Sequence, residues 1–207
     1  QNQEVNALRT GEIDIATQLS GESVKLVAED DSVNLLKIPG MQISYAYFNM
    51  VNGPTADPKV REALIMAVDY EELAAGVFQY GEGEAACLPL PKASWGYDES
   101  VEADVPSYDP ECAKKLLEEA GYGDGFTLNM YVTNENFRQK AATILQSYWK
   151  MIGVDLEINT VEWGTFSETG ASGKADVFAM GWSWYPDPYF FLDKMFATSS
   201  IGRLGTG

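Results

Sequence analysis

Residues 126–182 read FTLNMYVTNENFRQKAATILQSYWKMIGVDLEINTVEWGTFSETGASGKADVFAMGW, and two hydrophobic periodicities alternate along this stretch. Apolar residues at every second position, or in a short unbroken run, predict strands, whereas apolar residues spaced by three or four predict helices. The predicted order is strand 126–132, helix 137–152, strand 154–161, helix 163–171 and strand 176–182. This order predicts an α/β fold with a largely parallel or mixed sheet flanked by helices.

Three loops follow the predicted strands directly. In parallel sheets, the carboxyl ends of the strands meet at one edge, and ligands usually bind there. We therefore expect a binding site formed by residues 133–137, 162–165 and 182–188.

The chain before residue 126 contains three helix starts. Asp57, Asp69 and Asp109 each stand at an N-cap position, and Asp57 and Asp109 are each followed by a proline suited to the first helical turn. Glu72 is placed to complete a capping box with Asp69. Short strands are predicted at residues 11–16, 33–38 and 43–49.

Composition excludes several classes of function. The formal net charge of −17 opposes binding to nucleic acid, and the absence of histidine removes the common catalytic triads and imidazole metal sites. No apolar run is long enough to span a membrane. We expect no catalytic residues, no metal and no cofactor. Cys87 and Cys112 are either free thiols or one disulfide, and their spacing does not decide between these states.

A series of short motifs carries a resemblance that covers nearly the whole chain. They stand in the order GEID (11–14), FN (48–49), DPKVREA (57–63), AVD (67–69), WGY (95–97), YDPE (108–111), LLEEAGY (116–122), IGVDL (152–156), EW (162–163), GW (181–182) and DP (187–188). In order and spacing this series resembles the dipeptide- and oligopeptide-binding proteins, family 5 of the extracellular solute-binding proteins.

The resemblance implies a two-lobed protein that encloses its ligand between the lobes. Residues 1–38 would be a fragment of the first lobe, and residues 39–207 would be the second lobe, truncated before the returning hinge strand. The function implied is that of the substrate-binding component of an ABC importer, which captures peptide-like solutes and delivers them to a membrane permease. The implied location is extracytoplasmic, with a lipid anchor on the full-length protein and no membrane insertion by this part of it.

Tryptophans in the strand-end loops are the first candidate ligand contacts. Trp163 and Trp182 match positions where relatives line the pocket with tryptophan, and core packing is the alternative for both. Relatives carry an aspartate before the Asp187-Pro188 pair that binds the ligand's amino group, whereas this chain has Trp184 and Tyr185 there. Asp187 itself is expected to cap a helix.

The loop after the first strand of the quoted stretch supplies polar candidates. Asn134 could bond amide groups and Glu135 could pair with a cation, or both could be solvated. Arg138 could receive a carboxylate in a bidentate manner, or it could be surface charge at a helix start.

The same residues also allow three other functions. The aromatic pair Trp184 and Tyr185 would also suit an oligosaccharide or another non-peptide ligand in the same class of receptor. A carboxylate-based hydrolase would need two converging acids, and a structural module would lack a cleft lined by Trp163 and Trp182.

Overall fold

The computed structural model describes residues 2–17, 19, 21–183 and 187–200. Eight helices lie in these ranges: α1 (Asn2–Thr10), α2 (Gly21–Ala28), α3 (Pro58–Met66), α4 (Tyr70–Val77), α5 (Pro110–Glu119), α6 (Asn136–Met151), α7 (Trp163–Ala171) and α8 (Tyr189–Phe196). Four strands lie in the same ranges: β1 (Gln42–Phe48), β2 (Phe126–Val132), β3 (Val154–Thr160) and β4 (Val177–Ser183).

The four strands form one mixed sheet in the order β1-β4-β2-β3. β2 is parallel to both β3 and β4, while β1 is antiparallel to β4 at one edge. The α/β fold predicted from the sequence is therefore confirmed.

The main core lies on one face of this sheet. Helices α3, α5 and α6 cover that face, and α6 carries the fully buried Trp149, whose indole N–H donates to the Leu64 carbonyl over 2.9 Å. Burial of these apolar side chains supplies the main driving force for folding. The buried residues of this core include Val60, Leu64, Leu117, Leu128, Met130, Val154 and Val177.

The opposite face of the sheet carries mostly aromatic side chains. Phe166 of α7 packs edge-on against Phe178 of β4, with ring centroids 5.6 Å apart. Phe178 in turn stacks on Tyr47 of β1 at 5.2 Å. Phe191 of α8 is also buried against this face. The two faces are thus covered by different helices, α6 on one and α7 with α8 on the other.

The predicted helix starts are confirmed, with one difference. Asp57, Asp69 and Asp109 each accept a hydrogen bond from an amide of the following helix, namely those of Lys59, Glu72 and Cys112. The Glu72 carboxylate, however, accepts the Tyr148 hydroxyl of α6. The predicted capping box is therefore only half formed, because tertiary packing supplies another partner for Glu72.

The short strands predicted at residues 11–16 and 33–38 are wrong. Neither segment is a strand, and Ile15, Leu36 and Ile38 are 78–80% exposed. Alternating hydrophobicity makes a strand only where a neighbouring strand accepts its hydrogen bonds and a core receives its apolar face. The described residues supply neither for these two segments.

The cap at Asp109 allows a direct test of one local interaction. Replacing Asp109 with alanine removes the acceptor that lies 2.9 Å from the Cys112 amide, so we expect a loss of about 1 kcal/mol in the free energy of unfolding. Urea denaturation of the protein measures this loss. Asp109→Asn keeps an acceptor and should retain most of the stability, and equal losses in the two variants would contradict the assignment.

Candidate functional site

The carboxyl ends of β2, β3 and β4 lie along one edge of the sheet, as their parallel pairing requires. Because β1 is antiparallel, its first residue, Gln42, pairs with Ser183 and also lies at this edge. We call this side of the sheet the strand-end edge. The predicted site residues that the structure describes belong to this edge or to the loops that follow it: Asn134, Glu135, Trp163 and Trp182.

Trp163 is the first residue of α7 and is 54% exposed. Its ring stacks on Phe166 with centroids 5.7 Å apart and an interplanar angle of 21°. Phe166 is completely buried, so it holds the base of the Trp163 ring in place. Trp163 thus presents a fixed apolar surface to solvent, which is the property that a pocket wall requires.

Trp182, near the end of β4, is partly buried. It pairs with Ile43 across the sheet and packs against Phe191 of α8 at 6.3 Å. Part of its area therefore stabilises the aromatic face, and the remainder is accessible at the strand-end edge. Trp184 and Tyr185 lie outside the described residues.

Asp187 caps the last helix, as expected. Its carboxylate accepts a hydrogen bond of 2.9 Å from the amide of Tyr189, the first residue of α8. This bond satisfies one of the free amides at the helix start.

Arg138 is the most informative side chain at the strand-end edge. It lies in the first turn of α6, yet only 13% of its side chain is exposed, so the surface-charge alternative is wrong. Its Nη1 donates to the Ala179 carbonyl over 3.2 Å, while its Nε is buried without a hydrogen bond among the described residues. A guanidinium is expensive to bury without a carboxylate partner, and its planar fork suits a carboxylate well.

Gly181 of β4 lies directly beside the Arg138 guanidinium. A Cβ atom on Gly181 would lie 3.4 Å from both the Arg138 Nη2 and the Ser44 Oγ, and Ser44 is exposed. The guanidinium therefore lies over a bare stretch of β4 backbone, beside an accessible hydroxyl. Neither Ser44 nor Gly181 was predicted as a site residue; a glycine inside an apolar strand is the signal that would have indicated a close approach.

Glu135, the residue before α6, lies next to this guanidinium. The Glu135 carboxylate lies 3.5 Å from the Arg138 Nε and also accepts the Thr133 hydroxyl. The side-chain oxygen Oδ1 of Asn134 accepts a hydrogen bond of 3.1 Å from the Gln139 Nε2. Glu135 therefore has a cationic neighbour within the protein, and its contact with a ligand stays a prediction.

Tyr45 shows the character of the aromatic face beside this edge. Burial raises the pKa of its hydroxyl above the ordinary value; Tyr47 adds to this effect and Arg138 opposes it. The phenol therefore stays protonated at neutral pH, and it donates to the Met195 sulfur at 3.7 Å.

The sheet divides the candidate site into two parts. Gly181 and Trp182 are neighbours on β4 and so point to opposite faces. Glu135 and Arg138 lie on the α6 side, whereas Trp163 and Trp182 lie on the side of α7 and α8. A ligand that crosses the strand-end edge would meet a cation on one side and indole rings on the other.

Other chemistry finds little support in the described part of the chain. There, no three cysteine or carboxylate side chains lie close enough together to hold a metal ion. Cys87 and Cys112 are free thiols, so the disulfide alternative is not the one observed. Within the same ranges, no helix combines the length and hydrophobicity needed to cross a membrane.

Comparison with known proteins identifies the structural class and the family of this chain. The DppA periplasmic binding protein of Helicobacter pylori, solved with the peptide STSA, superposes with a TM-score of 0.84 at 27% identity, covering 99% of this chain and 40% of that one. The fold is that of a periplasmic binding protein. The chain belongs to the bacterial extracellular solute-binding proteins, family 5, whose model matches residues 1–203.

Two curated relatives support this assignment. The dipeptide-binding protein of Escherichia coli is 32% identical over 93% of this chain and 37% of its own length. The heme-binding protein A of Haemophilus influenzae is 34% identical over 95% of this chain and 36% of its own length. The chain therefore spans less than two fifths of the length of these relatives.

Proposed function

We propose that this chain forms one wall of the ligand-binding cleft in the substrate-binding component of an ABC importer, and that the ligand is a short peptide. The single observation that carries the proposal is the buried Arg138 guanidinium, which lies at the strand-end edge with an unbonded Nε. The names of the E. coli and H. pylori relatives, a dipeptide-binding protein and a protein solved with a peptide, support the same ligand class.

The chemistry of a free peptide matches the groups at this edge. Its terminal carboxylate would bind the Arg138 fork in a charge-assisted, bidentate manner. Its side chains would lie against Trp163 and Trp182, which offer broad apolar surfaces. The polar groups Asn134 and Glu135 would meet peptide amides or a cationic group. These roles involve binding and release only, so we propose that the protein is not an enzyme.

The division of the chain into lobes is part of the same proposal. All four strands lie between residues 42 and 183, which supports a second lobe formed by residues 39–207 and a first-lobe fragment formed by residues 1–38. Because the chain spans 37% of the E. coli relative, we propose that the opposing wall of the cleft is contributed by residues outside these 207. The ligand would then be enclosed between the two walls.

The family is extracellular by description, which supports an extracytoplasmic location for this protein. We further propose that the intact protein is held at the membrane by a lipid anchor and delivers its ligand to a membrane permease. Neither role requires a membrane-spanning helix from this chain.

Titration calorimetry on the intact protein tests the ligand class. We expect a dipeptide with a free carboxylate to bind, its carboxy-terminal amide to bind much more weakly, and a linear oligosaccharide not to bind. When its free concentration is one hundred times its dissociation constant, the dipeptide should raise the apparent free energy of unfolding by about 2.7 kcal/mol. The dipeptide should be recovered uncleaved.

Two outcomes would contradict the proposal. Binding of the oligosaccharide without the dipeptide would favour a sugar receptor of the same family, in which Trp163 stacks on a sugar ring. Recovery of free amino acids from the dipeptide would show that the protein is a hydrolase.

A further inference from the structure

Glu135 stands at the start of α6 but does not use its carboxylate there. Its carbonyl oxygen accepts the amides of Arg138 and Gln139 over 3.0 and 3.2 Å, whereas its side chain makes no cap hydrogen bond. Acidic side chains at helix starts usually accept free amides. The Glu135 carboxylate instead accepts the Thr133 hydroxyl and lies next to Arg138.

The contact between Glu135 and Arg138 is loose. The Glu135 Oε2 lies 3.5 Å from the Arg138 Nε, and the contact does not meet the geometry of a hydrogen bond. The glutamate side chain is 49% exposed, while the arginine side chain is 13% exposed. The carboxylate can therefore leave and be hydrated at little cost, whereas the guanidinium needs a negatively charged partner at all times.

Thr133 decides where the glutamate rests when no ligand is bound. The threonine is buried at the end of β2, so its hydroxyl is a fixed donor. This donor holds the Glu135 carboxylate beside the guanidinium, while about half of the glutamate side chain stays exposed to solvent. Thr133, Glu135 and Arg138 therefore form an arrangement in which the guanidinium already has a carboxylate beside it, without an anion from outside the protein.

We propose that Glu135 is an internal competitor that occupies Arg138 and is displaced by the carboxylate of the ligand. This inference rests on the proposed function and adds a residue that sets affinity and selectivity. A ligand carboxylate gains a bidentate contact with the Arg138 guanidinium. To do so it must separate Glu135 from Arg138 and then lie near the displaced, negatively charged Glu135 carboxylate. Simple anions gain too little to do so, whereas a peptide adds contacts with the indole rings.

The test removes the charge of Glu135 and keeps its shape. In the intact protein, Glu135→Gln should tighten binding of a free-carboxylate dipeptide by about three- to tenfold, as the loss of a partly exposed ion pair implies. Binding of the dipeptide amide should not change, because the amide does not compete for the guanidinium. Titration calorimetry with both ligands measures the two effects.

Glu168 provides a matched control. It lies on α7, outside the loops predicted to form the site, and is exposed. Glu168→Gln removes the same charge without touching Arg138, so it should leave the ratio of acid to amide affinity unchanged. If this control tightened dipeptide binding as much as Glu135→Gln, the effect would reflect net charge and the proposal would be overturned.

A double-mutant cycle with Arg138→Gln completes the test. In that background, Glu135→Gln should have no further effect on dipeptide affinity, since the guanidinium for which Glu135 and the ligand carboxylate compete is absent. An unchanged three- to tenfold gain in dipeptide affinity would overturn the proposal.

The two ligands also separate this proposal from the proposed function. If the wild-type protein binds the free-carboxylate dipeptide more tightly than its amide, but Glu135→Gln does not tighten binding of the free-carboxylate dipeptide, only the competition by Glu135 is refuted. If the wild type binds neither or does not distinguish them, the proposed function fails as well.

Discussion

Replacing Arg138 with glutamine is expected to weaken binding of a free-carboxylate dipeptide to the intact protein by about 30- to 1000-fold, or about 2–4 kcal/mol. The substitution removes the charge and the fork that would hold the carboxylate. Glutamine keeps the aliphatic stem and a polar end group, but it ends two bonds short of the Arg138 Nη1, which donates to the Ala179 carbonyl over 3.2 Å. Titration calorimetry measures the affinity, and the ligand-free melting temperature monitors folding.

The specificity of this effect can be checked on the same helix. Lys140→Gln removes an equal charge from an exposed position two residues further along α6 and should change dipeptide affinity by less than about twofold. Arg138→Lys keeps the charge but loses the bidentate geometry, so we expect an intermediate affinity. Similar losses in Arg138→Gln and Lys140→Gln would refute a direct role for the guanidinium.

The largest effect on stability is expected at Trp149. Replacing this residue with alanine should lower the free energy of unfolding by about 3–5 kcal/mol. The side chain is 2% exposed, lies 6.2 Å from the Phe48 ring, and donates to the Leu64 carbonyl. Its removal leaves a cavity where α6 meets α3 and β1, together with a buried carbonyl that has lost its donor.

A second tryptophan serves as the control for this measurement. Trp163 is 54% exposed, and we expect Trp163→Ala to cost less than about 1 kcal/mol in urea denaturation. Trp149→Phe should lie between the two, because it keeps a ring but loses the N–H donor. Equal losses for Trp149→Ala and Trp163→Ala would show that burial does not distinguish the two rings.

The local elements from residue 57 to residue 171 could be predicted from the sequence because each has its own signal. Asp109 followed by proline indicates a helix start, and the alternation of Val154, Leu156 and Ile158 indicates a strand with one buried face. Residues 33–38 show a similar alternation but form no strand. A strand depends on a neighbour, and the pattern within a segment does not report whether the neighbour is present.

The candidate site could be predicted only in outline. The order of strands and helices places residues 133–137, 162–165 and 182–188 at one edge, because parallel strands end on the same side. The sequence could not show that Trp163 is largely exposed while Trp182 also packs against α8. Trp163 comes soon after β3 and Trp182 lies near the end of β4, and their burial depends on which helix covers each end of the sheet.

The amino-acid sequence by itself determined the class of fold and the capped helix starts, because periodicity and capping act over a few neighbouring residues; the edge at which ligands would bind stays a prediction. Only the tertiary structure decided that Arg138 is buried against Gly181 and faces Glu135. Residues 138 and 181 are far apart along the chain, and their contact depends on how α6 lies across β4. The free energy of a buried charge is set by such distant neighbours, so no local pattern could reveal it.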